Sequence, residues 1–260
     1  MLDKPLNLAK ARVLISNDDG VHAPGMKMLV RVARRMAKEV WVVAPEVEQS
    51  AASHSLTLRR PLRIRRLAAR RYAVDGTPTD AVMLALRQIM KDKPPDLLLS
   101  GVNRGGNLGE DVTYSGTIAA AMEATLLGVP AVALSQERSD GSRTRWTTAE
   151  HHLEKVVRCL VSVPWPPGVL MSVNFPDVAA GAVTGVEATR EGRRRVGTWF
   201  TESIDPYGHP YYWLSGWREA EDFACGTDLA AVARGAISVT PLSMDLTHRP
   251  TLRVLKGILD

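Results

Sequence analysis

Val13-Leu14-Ile15-Ser16-Asn17-Asp18-Asp19-Gly20 is the stretch that decides how this chain of 260 residues is read. A short, β-branched apolar run ends in two adjacent carboxylates and a glycine, as a buried parallel strand with a sharp exit would. In open α/β sheets, ligands bind just beyond the carboxyl ends of the strands. Two neighbouring carboxylates there repel each other unless positive charge lies between them. A hard divalent cation, which prefers carboxylate, amide and hydroxyl oxygens, meets that need. Alone, an Asn-Asp-Asp-Gly is more often a solvated turn. Three later segments reverse that preference.

Working outward, residues 24–38 place Met26, Leu29, Val30, Ala33, Met36 and Ala37 on one helical face. The run Glu-Val-Trp-Val-Val-Ala-Pro, residues 39–45, reads as a second buried strand stopped by Pro45. Residues 72–75 form a short strand leading into Gly76-Thr77-Pro78-Thr79-Asp80, where Thr77 suits an N-cap, Pro78 the first helical position and Asp80 the positive helix end. A third core strand at 96–100 runs into Gly101 and a long glycine-rich loop. A small-residue helix from Thr117 ends at Gly128, and 129–135, a helix at 151–161 and a strand at 169–175, read as the last of the core, follow. Strands and helices in alternation imply an α/β fold with a mainly parallel sheet covered on both faces. The tail differs: a turn at 206–208, an aromatic strand Tyr211-Tyr212-Trp213-Leu214, a short helix capped near Thr227 and a final strand at 236–240. The expected division is a catalytic core, 1–184, and a C-terminal segment, 185–260, that finishes the site and mediates assembly.

Composition narrows the class. Apolar residues make up 45% and charged residues 23%, an ordinary globular balance. No apolar stretch approaches the roughly 18 residues of a membrane helix, and residues 1–11 lack the apolar centre of a signal peptide, so the cytoplasm is expected. Two cysteines, Cys159 and Cys225, exclude a disulfide framework and a thiolate zinc site. The net charge of +5 is concentrated in Arg59, Arg60, Arg63, Arg65, Arg66, Arg70 and Arg71. Their spacing around Leu62, Ile64 and Leu67 favours a solvated strand face over a nucleic-acid site, with steering of anionic substrates as the next role.

Three strand ends carry oxygen-rich loops: Asp18 and Asp19, then residues 50–55, then residues 100–107. In a parallel sheet these ends share one edge, so Asp18, Asp19, a serine and Asn103 form a candidate site for Mg²⁺ or Mn²⁺. Spacing alone does not choose among Ser50, Ser53 and Ser55. His54 in the same loop is as readily a substrate contact as a structural residue. Tyr114-Ser115-Gly116-Thr117 opens a helix whose first N–H groups can meet an anion, and Ser115, Gly116, Thr117 and Asn107 are expected to hold a phosphate. Neither a Gly-x-Gly-x-x-Gly fingerprint nor a P-loop is present in this region, which argues against dinucleotide oxidoreductases and NTPases. Trp199, Trp213 and Trp217 with Tyr211 and Tyr212 are read as packing of a β appendage.

These segments, in order, resemble the SurE survival-protein family of 5′-nucleotidases. Asn17-Asp18-Asp19-Gly20 before Pro24-Gly25, Ala44-Pro45 before Gln49-Ser50, and Gly76-Thr77-Pro78-Thr79-Asp80 carry the likeness. Ser100-Gly101-Val102-Asn103-Arg104-Gly105, Tyr114-Ser115-Gly116-Thr117 and Tyr211-Tyr212-Trp213 continue it across nearly the whole chain. The resemblance implies a Rossmann-like three-layer core, hydrolysis of nucleoside monophosphates, and one divalent metal ion per subunit on Asp18, Asp19, Ser50 and Asn103. It leaves 3′-nucleotidase and exopolyphosphatase activity open, and it implies dimers or tetramers through exchanged C-terminal segments. Gln49 and Ala51 stand where the family often has arginine and glycine, a departure that bears on loop conformation and substrate preference. From the residues themselves, metal-assisted phosphomonoester hydrolysis is the leading reading, with Asp18 or Asp19 orienting and deprotonating water. A non-catalytic nucleotide or phosphate sensor and a nucleic-acid-binding protein are its rivals.

Overall fold

The computed structural model describes residues 2–139 and 142–259, with backbone alone at 195–199 and 215–221. The side chains of Trp199 and Trp217 therefore lie outside the described ones. Nine strands form one sheet in the order β3-β4-β2-β1-β5-β6-β7-β11-β8. Its centre is β1 (Arg12–Ser16), flanked in parallel by β2 (Glu39–Pro45) and β5 (Leu97–Arg104). Beyond β2 lie β4 (Arg71–Val74) and the edge strand β3 (Ile64–Ala68). Beyond β5 lie β6 (Ala131–Gln136) and β7 (Val169–Phe175), also parallel.

The period of two along β1 fixes the layers. Val13 and Ile15 point into one apolar cluster and Leu14 into the other, all fully buried, each worth about 1.5–3 kcal/mol of transfer free energy. On the first face pack α1 (Pro24–Met36) and α4 (Trp146–Leu160); on the second pack α2 (Pro78–Leu84) and α3 (Gly116–Leu126). The chain passes from β1 through α1 to β2 on one side, and returns through α2 to β5 on the other. The crevice between β1 and β5 is thus the point where strand order reverses, the usual ligand position in such sheets.

The cap read at Thr77 is built as a reciprocal box: Thr77 Oγ1 accepts from the Asp80 N–H, and Asp80 Oδ2 accepts from the Thr77 N–H at 2.9 Å. Asp80 Oδ1 also accepts from the Thr57 N–H at 3.1 Å, and the Thr77 hydroxyl donates to the Ser55 carbonyl. This cap pins the chain that follows β2 as well as starting a helix.

Two expectations are corrected. The strand at 96–100 does not stop at Gly101 but continues to Arg104, so Asn103 sits on the strand end rather than in a loop. The 169–175 strand is not the last of the core: β11 (Ile237–Ser243) pairs antiparallel with it, and β8 (Val186–Ala188) pairs with β11. Ile237 and Ser238 are buried, which makes this distant segment a sheet strand rather than an appendage. β11 is the final strand, as expected, and α6 (Arg249–Leu259) follows it with no buried residue. Its neighbour α5 (Asp228–Ala233) has the expected Thr227 cap. The aromatic strand is β10 (Pro210–Asp222), which pairs with β9 (Arg193–Ile204) in a separate two-stranded hairpin around the expected turn. The Arg190–Arg195 charge cluster hid the start of β9, because arginines carry little strand signal.

Candidate active site

At the carboxyl edge, a cleft of about 510 Å³ is lined by Asp18, Asp19, Ser50, Asn103, Asn107 and Ser115. Six of the eight expected site residues therefore meet in one space. Asn17 turns the chain: its side-chain amide donates to the Gly20 carbonyl at 3.0 Å, and Gly20 has φ 95°, a conformation that suits glycine.

Asp18 is buried, and Thr117 supports it through both hydroxyl and backbone N–H. The positive end of α3 is thus aimed at a carboxylate of the protein itself. Gly116 explains the close approach, because a Cβ there would lie 2.7 Å from the Cβ of Asp18. Gly116 and Thr117 consequently sit behind Asp18 and do not line the cleft. Burial pushes the Asp18 carboxyl above its ordinary value, against the support from Thr117. Asp19 is pushed up to about 6, first by burial and then by the charge of Asp18. One Asp19 oxygen accepts from the Arg104 N–H at 3.2 Å. Its other oxygen accepts no hydrogen bond among the described residues.

The loop after β2 is tied in by Gln49, whose N–H donates to the Asp18 carbonyl at 2.8 Å. Of the three candidate serines, Ser50 faces the cleft and donates to Glu48 at 2.7 Å. The Ser53 hydroxyl donates to the Thr113 carbonyl at 2.7 Å, while the Ser55 carbonyl receives Thr77. His54 lies apart from the cleft lining and pairs with buried Glu123 on α3 at 3.1 Å. Asn103 donates to the Gly105 carbonyl at 2.9 Å. Asn107 is fixed from below: its N–H donates to Asn174 Oδ1 at 2.8 Å and its side-chain amide to Ser135 at 2.7 Å. Ser115 caps α3 by accepting from the Ile118 N–H at 3.1 Å.

Sequence reading missed Glu48, Arg104, Asp111 and Arg138, which complete the cleft, and Leu214, which reaches it from the hairpin. Arg138 was findable, since it follows β6 just as Asp18 follows β1. The root of the hairpin is locked to this wall: buried Arg194 donates to Asp111 at 2.6 Å. Part of the expected basic segment is paired with local acids. Arg60 and Arg63 face Asp75, Arg65 pairs with Glu46, and Arg70 lies 3.7 Å from Glu39.

Among the described residues no three His, Cys, Asp or Glu side chains converge as a metal cluster. Two adjacent carboxylates, one buried and one half-buried, with neutral hydroxyl and amide oxygens nevertheless fit a hard, oxygen-seeking cation, which would relieve the repulsion between Asp18 and Asp19.

Comparisons with known proteins agree with this geometry. The family described as survival protein SurE matches residues 13–198. The curated 5′-nucleotidase SurE of Paramagnetospirillum magneticum is 58% identical over 245 residues, covering 94% of each chain. That of Parvibaculum lavamentivorans is 51% identical over 255 residues, covering 95% of this chain and 91% of its own. The crystal structure of the SurE protein from Aquifex aeolicus superposes with a TM-score of 0.81 at 38% identity, covering 96% of this chain and 100% of that one.

Proposed function

The chain belongs to the SurE survival-protein family and is a nucleotide phosphomonoesterase; we propose that it releases phosphate from nucleoside monophosphates in the cleft between β1, β5 and the start of α3. The observation that carries this reading is the pair of buried Asp18 and half-buried Asp19, individually supported at the point where strand order reverses. Asp18, Asp19, Ser50 and Asn103 would hold one divalent cation, Mg²⁺ or Mn²⁺. When bound, it supplies Lewis-acid polarisation of the phosphoryl group and lowers the pKa of water.

The remaining work falls to the chain's own groups. Thr117 fixes Asp18, and the Arg104 N–H fixes Asp19, so neither carboxylate has to be reoriented during reaction. Asp19, the more exposed of the two, orients the attacking water and takes its proton. Arg104 and Arg138, with the Ser115 hydroxyl and the remaining amide hydrogen of Asn107, face the phosphate oxygens as charge redistributes. Leu214 offers an apolar contact for the nucleoside.

Residues 185–260 act as the segment that completes the site and mediates a homodimer or homotetramer, in a cytoplasmic enzyme. Exposed Phe200, Tyr207, Trp213 and Leu214 on the hairpin and Leu255, Ile258 and Leu259 on α6 support this. Phosphate release from a nucleoside 5′-monophosphate, with Mg²⁺ or Mn²⁺ and then with saturating chelator, tests the reading. Turnover only with cation is expected. Full turnover in chelator overturns the metal assignment, and saturable binding without phosphate release would make the protein a sensor.

A further inference from the structure

A second cleft, of about 510 Å³, lies on the far side of α1 from the catalytic crevice, between that helix and the β3–β4 turn. Lys27, Arg34 and Lys38 line it from α1 and its C-terminal end, and Arg70 and Arg71 line it from the turn. Lys27 and Arg34, seven residues apart, share one face of the helix about 10 Å from each other at 1.5 Å per residue, and Lys38 follows the helix end. Among the described residues Lys27, Arg34 and Lys38 have no ion-pair partner, whereas Arg70 shares Glu39 with Arg12. No carboxylate lines the cleft. Its floor is apolar, with buried Met26 and Val42 beside Val40.

Lys27, Arg34 and Lys38, gathered in a concavity without an ion-pair partner among the described residues, repel one another, which a multiply charged anion relieves. The apolar floor offers such an anion no hydrogen bond, so a bare inorganic ion would leave it wet. A ligand with both parts satisfies both surfaces, and the volume lies within the range of small-molecule sites. Arg71 adds an independent observation. Its Nε is buried without a hydrogen-bond partner, while its guanidinium donates to the Val21 carbonyl at 2.5 Å. Val21 stands two residues after Asp19 in the loop that carries the carboxylate pair.

We propose that this cleft is a second binding site, separate from the catalytic one, for a multiply charged organic phosphate of nucleotide size. The phosphates meet the five cations and the apolar moiety covers Met26, Val40 and Val42. Arg71 connects this site to the Asp18–Asp19 loop.

The test is equilibrium binding of a non-hydrolysable imido analogue of a nucleoside triphosphate to the full-length chain in chelator at about 0.15 M salt, where exposed charges are largely screened. Saturable binding of one ligand per chain is expected. It should weaken at least tenfold in Arg34→Ala/Lys38→Ala and stay unchanged in Asp19→Asn, with pyrophosphate binding at least tenfold more weakly than the analogue. The double variant should retain wild-type turnover of a nucleoside monophosphate, which shows that it folds. Unchanged binding in the double variant, loss of binding in Asp19→Asn alone, or equal affinity for pyrophosphate would each overturn the proposal.

Discussion

The carboxyl edge of the sheet and the β9–β10 hairpin are both made of strands, yet they are finished in opposite ways. At the edge, β1 and β5 are short and buried, and Asp18, Asp19 and Asn107 each have an intramolecular support. The hairpin strands span 12 and 13 residues, and Trp213 and Leu214 leave 64% and 65% of their surface exposed. Among the described residues its apolar surface has no cover, and its firm anchor is Arg194 on Asp111 at the root. The edge is specified by its own fold, while the arm displays apolar surface of the kind a partner would bury in the proposed assembly.

Four outcomes break or sharpen that contrast. The largest is expected from Asp19→Asn, which removes a charge facing the proposed cation: kcat should fall on the order of 10²-fold while circular dichroism and oligomeric state stay as in the parent. An active variant would remove Asp19 from the reacting set. Deleting residues 206–217 strips the arm but touches no core strand. Sedimentation should then report a smaller species with core secondary structure retained and activity reduced; a monodisperse monomer from the intact chain would refute the role given to the arm.

The third outcome follows from charge. The Asp19 carboxyl, ordinarily near 3.8, is pushed up to about 6 in the fold, so protonation favours the folded, metal-free protein. That contribution is fully present below the unfolded value and is lost as pH rises through about 6. Cation binding displaces the proton, so the rise in Tm on adding Mn²⁺ should be larger at pH 7 than at pH 5. Equal shifts at the two pH values would place the cation elsewhere. The smallest effect belongs to Ser115→Ala: loss of the α3 cap should cost about 1 kcal/mol in denaturant unfolding. Turnover per folded molecule should also fall, and if it does not, the hydroxyl serves only the helix.

The same contrast explains what could be read in advance. Strands β1, β2 and β7 and helix α1 are apolar or amphipathic runs with clear stops, so local pattern suffices. Thr77 and Asp80 announce their cap by chemistry alone. By contrast, β8 and β11 join the core through pairing with chain far away in sequence, which no local pattern encodes. In the site, the adjacency of Asp18, Asp19 and Asn103 follows from parallel strand ends. The use of Thr117 to hold Asp18 does not, because hydroxyls at a helix start look alike whether they face a ligand or a neighbouring side chain. Glu48 was hidden for a similar reason, since loop geometry alone turns it inward.

Asp80 has a doubled duty. Its Oδ2 closes the cap on Thr77, while its Oδ1 and the Thr77 hydroxyl hold Thr57 and Ser55, so the stretch that follows Ser50 is fastened to the first turn of α2. The rim of the cleft and the start of that helix are therefore one mechanical unit: Asp80→Ala should loosen both, and activity should fall by more than the helicity read by circular dichroism.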